Sequence, residues 1–339
     1  LIRVLVVDDS AVVRRLLTEQ LSREHDIEVV GSAVDPFVAR DKILALKPDV
    51  LTLDIELPRM DGLEFLQRLM IHHPMPVVVV SSLTTEGSDA AMRALELGAV
   101  EVVPKLGNQY STPDAGPTLA RAIRAAARSK PRAMTPGVRL PAHTGVRSIR
   151  TTDRLLTLGA STGGPAALEQ VLTSLPVDMP GAVLVQHMPV GFTGPFARRL
   201  DGLCALTVRE AKDGDRIAPG LVLVAPAGVH SYVKRSGAQL VLRLKDAPKI
   251  HHQRPAVDVL FHSVAQEVGP NAIGVLLTGL GQDGASGLHA MRTAGAHTIC
   301  ESEETCVVFG MPRAAIELGA AEEVLKLEDV ANGILRACA

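Results

Sequence analysis

Residues 1–10 read LIRVLVVDDS, a short apolar run that stops at two aspartates. A β-branched run of this kind, without polar alternation, suits a strand buried on both faces of a parallel sheet. Beyond it Val13, Leu16, Leu17 and Leu21 recur at helical spacing, with Ser10 placed to cap the helix. The alternation returns at Ile27–Val30, Val50–Leu53, Val77–Val80 and Val100–Val103. Five strands and five helices within about the first 130 residues point to a doubly wound α/β domain.

In such a sheet the carboxyl ends of the strands gather at one crevice. Asp8 and Asp9 end the first strand and Asp54 ends the third, so three carboxylates are expected to converge. Close carboxylates repel unless a cation joins them, and an oxygen-only set suits Mg²⁺. Ser81 at the end of the fourth strand and Lys105 after the fifth add a hydroxyl and an ammonium to the same crevice.

The chain is long enough for a second domain: 339 residues with 47% apolar content. An aromatic content of 2%, no Trp and a net charge of −2 argue against a nucleic-acid platform. Cys204, Cys300, Cys306 and Cys338 lie apart without C-x-x-C spacing, which speaks against zinc and fits a reduced cytoplasmic setting. The opening run has no basic lead and is not read as a signal peptide. No stretch of about 18 apolar residues points to membrane insertion. After GNQYSTPDAGPT (107–118), TLARAIRAAARSK (118–130) has helical spacing through Leu119, Ile123 and Ala126. The proline- and arginine-rich PRAMTPGVRLPAHTGVRSIR (131–150) lacks an apolar face and reads as a tether. The basic residues Arg121, Arg124, Arg128, Lys130 and Arg132 are read as solvated charge. The expected organisation is a first domain over 1–120, a linker over 121–150 and a second domain over 151–339.

Strand–helix alternation resumes at Leu155, and a mostly parallel sheet is expected. Leu155–Leu158 runs into TLGASTGG (157–164), Ala182–Gln186 ends at His187, and Ile273–Leu277 is followed by TGLGQDG carrying Asp283. Three strand ends therefore offer a nucleophile, a general base and an orienting carboxylate: Ser161, His187 and Asp283. Asp213 and Asp215 lie in the hydrophilic turn KDGDRIAPG, and Asp258 lies in a helix opened by Pro255, away from the strand ends. His251 and His252 are adjacent and would point opposite ways in an extended segment, against a two-histidine metal site. The G-x-S-x-G elbow of α/β-hydrolases is matched only in part, because that fold runs serine, acid, histidine. A phosphate-loop reading lacks its lysine and its G-x-G-x-x-G.

VVDDS, LDIELPRMDG, VVVVSS and VVPK, spread over residues 2–106, resemble the receiver domain of bacterial response regulators. The resemblance implies that Asp54 accepts a phosphoryl group from a histidine kinase, with Asp8 and Asp9 helping to hold Mg²⁺. Ser81 would be the switching hydroxyl and Lys105 would contact the acyl phosphate. The family's aromatic three before the lysine is Val102 here, and Leu106 follows the lysine while Pro104 precedes it. LGASTGGPAAL, VLVQHMPVGFT, HQRPAVDVLFHSVA, GVLLTGLGQDGASGL and CVVFGMPRAAI resemble the bacterial chemotaxis protein-glutamate methylesterases, with Gln282 where that family often has Asn. This implies phosphorylation-regulated hydrolysis of glutamate methyl esters on methylated chemoreceptors, releasing methanol, and deamidation of specific receptor glutamines. The esterase would need no cofactor. Backbone N–H groups around Thr162 are the expected oxyanion-hole donors.

Overall fold

Ile2–Val7 forms strand β1 with its last four residues fully enclosed, as an apolar run without alternation requires. The structure is a computed structural model describing residues 1–81, 84–105, 115–129 and 154–339. It divides into two compact units. In the first, β1 is followed by α1 (Ala11–Leu21), β2 (Ile27–Ala33), α2 (Pro36–Leu46), β3 (Val50–Asp54), α3 (Gly62–His72), β4 (Val77–Ser81), α4 (Thr85–Glu96), β5 (Glu101–Pro104) and α5 (Ala115–Arg128). The Ser10 side chain caps α1 by accepting from the Val13 N–H, and Asp35 caps α2 through the Phe37 and Val38 N–H groups. The strands are all parallel in the order β2-β1-β3-β4-β5. The order reverses between β1 and β3, so the crevice opens between the ends that carry Asp8 and Asp54.

α5 carries Leu119, Ala122, Ile123 and Ala126 on a buried face. Its Arg124 pairs with Glu24 and Asp26 at 2.6 Å each, tying the helix to the α1–β2 connection. A domain limit at residue 120 therefore falls inside this helix, whose packing belongs to the first unit. Most of the expected linker, with Lys130 and Arg132, lies outside the described residues, as does Leu106.

The second unit begins with β6 (Leu155–Ala160) and continues through α6 (Gly164–Thr173), β7 (Gly181–Gln186), α7 (Thr193–Leu203), β8 (Thr207–Glu210), β9 (Leu221–Val224), β10 (His230–Ser236) and β11 (Gln239–Lys245). Then come α8 (Val257–Glu267), β12 (Ala272–Leu276), α9 (Ala285–Thr293), β13 (His297–Glu301), α10 (Met311–Glu317), β14 (Glu323–Leu325) and α11 (Leu327–Cys338). Seven strands form one parallel sheet, β14-β13-β12-β6-β7-β9-β8, while β10 and β11 pair as a separate antiparallel hairpin. Leu155, Val183, Val185, Val257, Phe261, Val264 and Leu276 pack in one core between this sheet and α8. Each such side chain taken from water contributes about 1.5–3 kcal/mol. Chain order runs outward from β6 to β7 on one side and resumes with β12 on the other, so the reversal flanks β6.

The four thiols are free, and burial pushes Cys204 and Cys300 up to about 12 and Cys338 up to about 11; Cys306 moves the same way. Among the described residues no helix is long and apolar enough to cross a membrane.

Candidate active site and phosphoacceptor cluster

In the first unit the oxygens of Asp8, Asp9 and Asp54 lie within 4.8 Å of one another. Asp8 is buried and one of its oxygens, Oδ2, has no partner among the described residues. Burial, with the neighbouring Asp54 and Asp9 charges, pushes its carboxyl up to about 6 despite the Ser10 N–H bond. Asp54 is raised as well, mainly by burial, although Lys105 Nζ reaches its Oδ2 at 2.7 Å and the Glu56 N–H meets Oδ1. The ammonium offsets only part of the charge, and a buried, partnerless carboxylate oxygen suits a divalent cation. Ser81 is buried at the end of β4 and donates its hydroxyl to the Gly87 carbonyl at 3.0 Å. Lys105 follows β5, its N–H bonded to the Ser81 carbonyl. Val102 is enclosed within β5.

In the second unit Ser161 and His187 leave neighbouring strands side by side. Ala160 of β6 pairs with Gln186 of β7, and the His187 N–H extends the ladder to the Ala160 carbonyl at 3.1 Å. Adjacent strands run about 4.8 Å apart, so the next residues on each fall within reach of one another. Ser161 is nearly enclosed; its N–H donates to the Thr278 carbonyl and its carbonyl accepts the Gly164 N–H. Thr278 follows β12 on the other side of β6, and its hydroxyl donates to the Thr162 carbonyl at 3.0 Å. Its own N–H donates to the buried Glu301 carboxylate. Next comes Gly279, where a Cβ would stand 2.8 Å from the Ser161 Cβ and 2.2 Å from Met311 Sδ. A side chain there would force Ser161 or Met311 to shift.

Asp283 lies not at a strand end, as the sequence reading has it, but six residues beyond Leu277 in the β12–α9 loop. The loop folds back onto the first turn of α8. Asp283 Oδ2 accepts from His187 Nε2 and from the Val257 N–H, both at 2.8 Å, while Oδ1 accepts the Asp258 N–H at 2.9 Å. Burial opposes its charge, but these donors and the His187 ring hold the carboxyl below the usual range. His187 Nε2 therefore carries the proton. Its Nδ1 is buried with no partner among the described residues.

Asp258 is on α8 as expected, but it lies beside the site rather than away from it. Its Oδ1 accepts the Gly287 N–H and its Oδ2 meets His251 Nε2 at 3.1 Å. Burial and the neighbouring Asp283 charge raise its carboxyl. His251, Asp258 and Asp283 bring ligand atoms within 4.8 Å, yet those atoms are already engaged in the bonds just given, so the trio reads as a hydrogen-bonded support. Asp213 binds Arg243 and the Leu244 N–H of β11, and Asp215 binds Arg209 of β8 and the Lys212 N–H. Sequence reasoning missed Gln186, whose amide lies between Ser161 and His187; the available signal was a polar residue ending the apolar run AVLVQ.

Comparison with known proteins matches residues 156–334 to the CheB methylesterase family and residues 4–112 to the response regulator receiver domain. A protein of Syntrophus aciditrophicus named protein-glutamate methylesterase/protein-glutamine glutaminase 2 is 51% identical over 99% of this chain and 98% of its own. A Bordetella parapertussis protein of the corresponding name is 52% identical over 98% of this chain and 96% of its own. The crystal structure of the Thermotoga maritima CheB methylesterase catalytic domain superposes with a TM-score of 0.53 at 39% identity, covering 54% of this chain and 98% of that one.

Proposed function

The chain belongs to the CheB methylesterase family, and from that premise we propose that Ser161, His187 and Asp283 are the catalytic triad of a protein-glutamate methylesterase and protein-glutamine glutaminase. The observation that carries this reading is the Asp283–His187 bond lying beside Ser161 at the reversal of the sheet. Ionised Asp283 fixes the tautomer with the proton on Nε2, leaving Nδ1 as the base. His187 takes the Ser161 proton as Oγ attacks the ester carbonyl, and returns it to the departing methoxide so that methanol leaves. Water then enters and gives a proton to His187 as it attacks the acyl carbon, and His187 passes that proton to the departing Ser161 Oγ, releasing the glutamate carboxylate. With glutamine the leaving group is ammonia. We assign the developing oxyanion to backbone N–H groups around Thr162, at the turn that leads into α6. The esterase steps use only these side chains and water.

The activity is regulated by phosphorylation through the receiver. We take Asp54 as phosphoacceptor, Ser81 and Lys105 as the residues that read the acyl phosphate, and a chemotaxis histidine kinase as phosphodonor. Asp8, Asp9 and Asp54 would hold Mg²⁺, which fits the partnerless Asp8 oxygen. Bound there, the ion would offset the charge of the transferring phosphoryl group. The substrates are methylated chemoreceptors, reached from the cytoplasm, and the outcome is sensory adaptation in chemotaxis. The test is methanol release from methylated receptor of the same cell. Release by the native chain and none by Ser161→Ala are expected; equal release by both sinks the triad.

A further inference from the structure

Gln186 is the last residue of β7 and is 2% exposed, a carboxamide at the end of a wholly buried strand. Its Nε2 donates to the Ser161 carbonyl at 2.9 Å and to the His187 carbonyl at 3.0 Å. Two acceptors converge on that one nitrogen, so the amide orientation is forced: a reversed group would set an oxygen against both carbonyls. The other end, Oε1, is buried with no partner among the described residues and is pressed against Gly164. A Cβ at Gly164 would stand 2.0 Å from it. Such a group costs stability, and a methionine or leucine would fill the same space without that cost.

We propose that Gln186 is a positioning residue for the esterase, clamping the main chains of Ser161 and His187 so that Oγ and Nδ1 keep a reactive separation. It touches neither substrate nor reacting atoms. The ladder bond from the His187 N–H reaches Ala160 and stops one residue short of the nucleophile. Beyond the ladder, the Gln186 amide is the bridge between the two turns. Its two bonds grip the carbonyls of the very residues whose side chains must meet. Substrate binding does not depend on it, so its loss is read in kcat.

This inference rests on the triad reading, and the test separates the two. Methanol release from methylated receptor is measured for the full-length chain and for Gln186→Met, Gln186→Glu and Ser161→Ala. In Gln186→Met, kcat falls about 10- to 100-fold with KM within about twofold. Its thermal midpoint equals or exceeds that of the native chain. A native kcat in Gln186→Met overturns the proposal, as does a kcat deficit that follows a lowered midpoint. If Gln186→Met does not fold, Gln186→Glu decides. Its carboxylate lacks a donor, and protonation returns one O–H, so kcat/KM relative to the native chain rises between about pH 8 and about pH 6. A ratio flat with pH overturns the proposal. An active Ser161→Ala removes the triad and the clamp together, whereas an inactive Ser161→Ala beside a native-like Gln186→Met removes the clamp alone.

Discussion

The two units solve the same topological problem with opposite chemistry. Each is a parallel sheet whose chain begins on an inner strand, and each sets its site where the strand order reverses. The first unit fills that crevice with Asp8, Asp9 and Asp54 and offsets them in part with Lys105, leaving Asp8 pushed up to about 6. The second fills it with Ser161 and His187 and brings in Asp283 on a returning loop, fully bonded and held below the usual carboxylate range. One unit keeps a buried carboxylate whose charge a bound cation would relieve. The other spends helix amides and an imidazole to keep its carboxylate ionised. The difference separates a receiver from a catalyst: the former is left unfinished, the latter is pre-organised.

The largest effects should come from removing the pre-organised parts. Ser161→Ala and His187→Ala should each lower kcat by about 10⁶, and Asp283→Asn by about 10⁴ through the wrong tautomer. Asp258→Asn should retain most activity, because its carboxylate serves His251 and Gly287 rather than His187. The reverse ranking of Asp283 and Asp258, read by methanol release, would break the assignment of the acid.

Gly279→Ala probes the same rigidity more gently. Its Cβ must displace Ser161 or Met311, and a misplacement near 1 Å costs about 10²-fold in rate. Steady-state kinetics on a folded Gly279→Ala chain would show it; an unchanged kcat would mean that the serine turn yields freely.

The unfinished site should answer to phosphorylation. A small-molecule phosphodonor with Mg²⁺ should raise the esterase rate of the native chain, within the usual coupling range of about 5–150-fold. Asp54→Asn should abolish the rise and leave the unstimulated rate in place. Residues 151–339 alone should outpace the unphosphorylated chain, since a tethered receiver need bind only weakly to restrain its neighbour. Equal rates in all forms would leave the receiver no restraining role.

The smallest effect is the opposite pH response of the two acids. Asp8 binds its proton more tightly folded than unfolded, so its contribution is present at low pH and is lost as pH rises through about 6. Without Mg²⁺, Asp8→Asn should therefore stabilise the first unit at neutral pH by about 1–3 kcal/mol, and less with Mg²⁺ present. Asp283 is held low, so its contribution is present above the ordinary carboxylate range and is lost as pH falls through its folded value. Asp283→Asn should destabilise the second unit at neutral pH, with the gap narrowing on acidification. Denaturant unfolding across pH would reveal either sign reversed.

Strand-end chemistry was the legible part. Asp8, Asp54, Ser161 and His187 follow largely apolar runs, and a parallel sheet carries such ends to one rim without further information. Asp283 was legible as a residue but not as a geometry: its anchors, the Val257 and Asp258 N–H groups, lie 26 and 25 positions earlier on a helix start, and backbone amides leave no mark in sequence. The same gap misplaced Asp258. β8, β9 and β14 are only three or four residues long, too brief for periodicity to register. The β10–β11 hairpin lies outside the main sheet, where strand–helix alternation gives no guidance. The end of α5 was blurred because its buried residues are mostly alanines, whose packing shows only against a neighbour.

The four native thiols, all held protonated by burial, have a practical consequence. Thiolate is the form that alkylating reagents attack, so at neutral pH each native cysteine reacts slowly. A cysteine introduced at an exposed position such as Val12 or Val190 would then take a maleimide dye against a dark background. One dye on each unit would let energy transfer follow their separation as phosphodonor is added, in a chain that keeps its own cysteines.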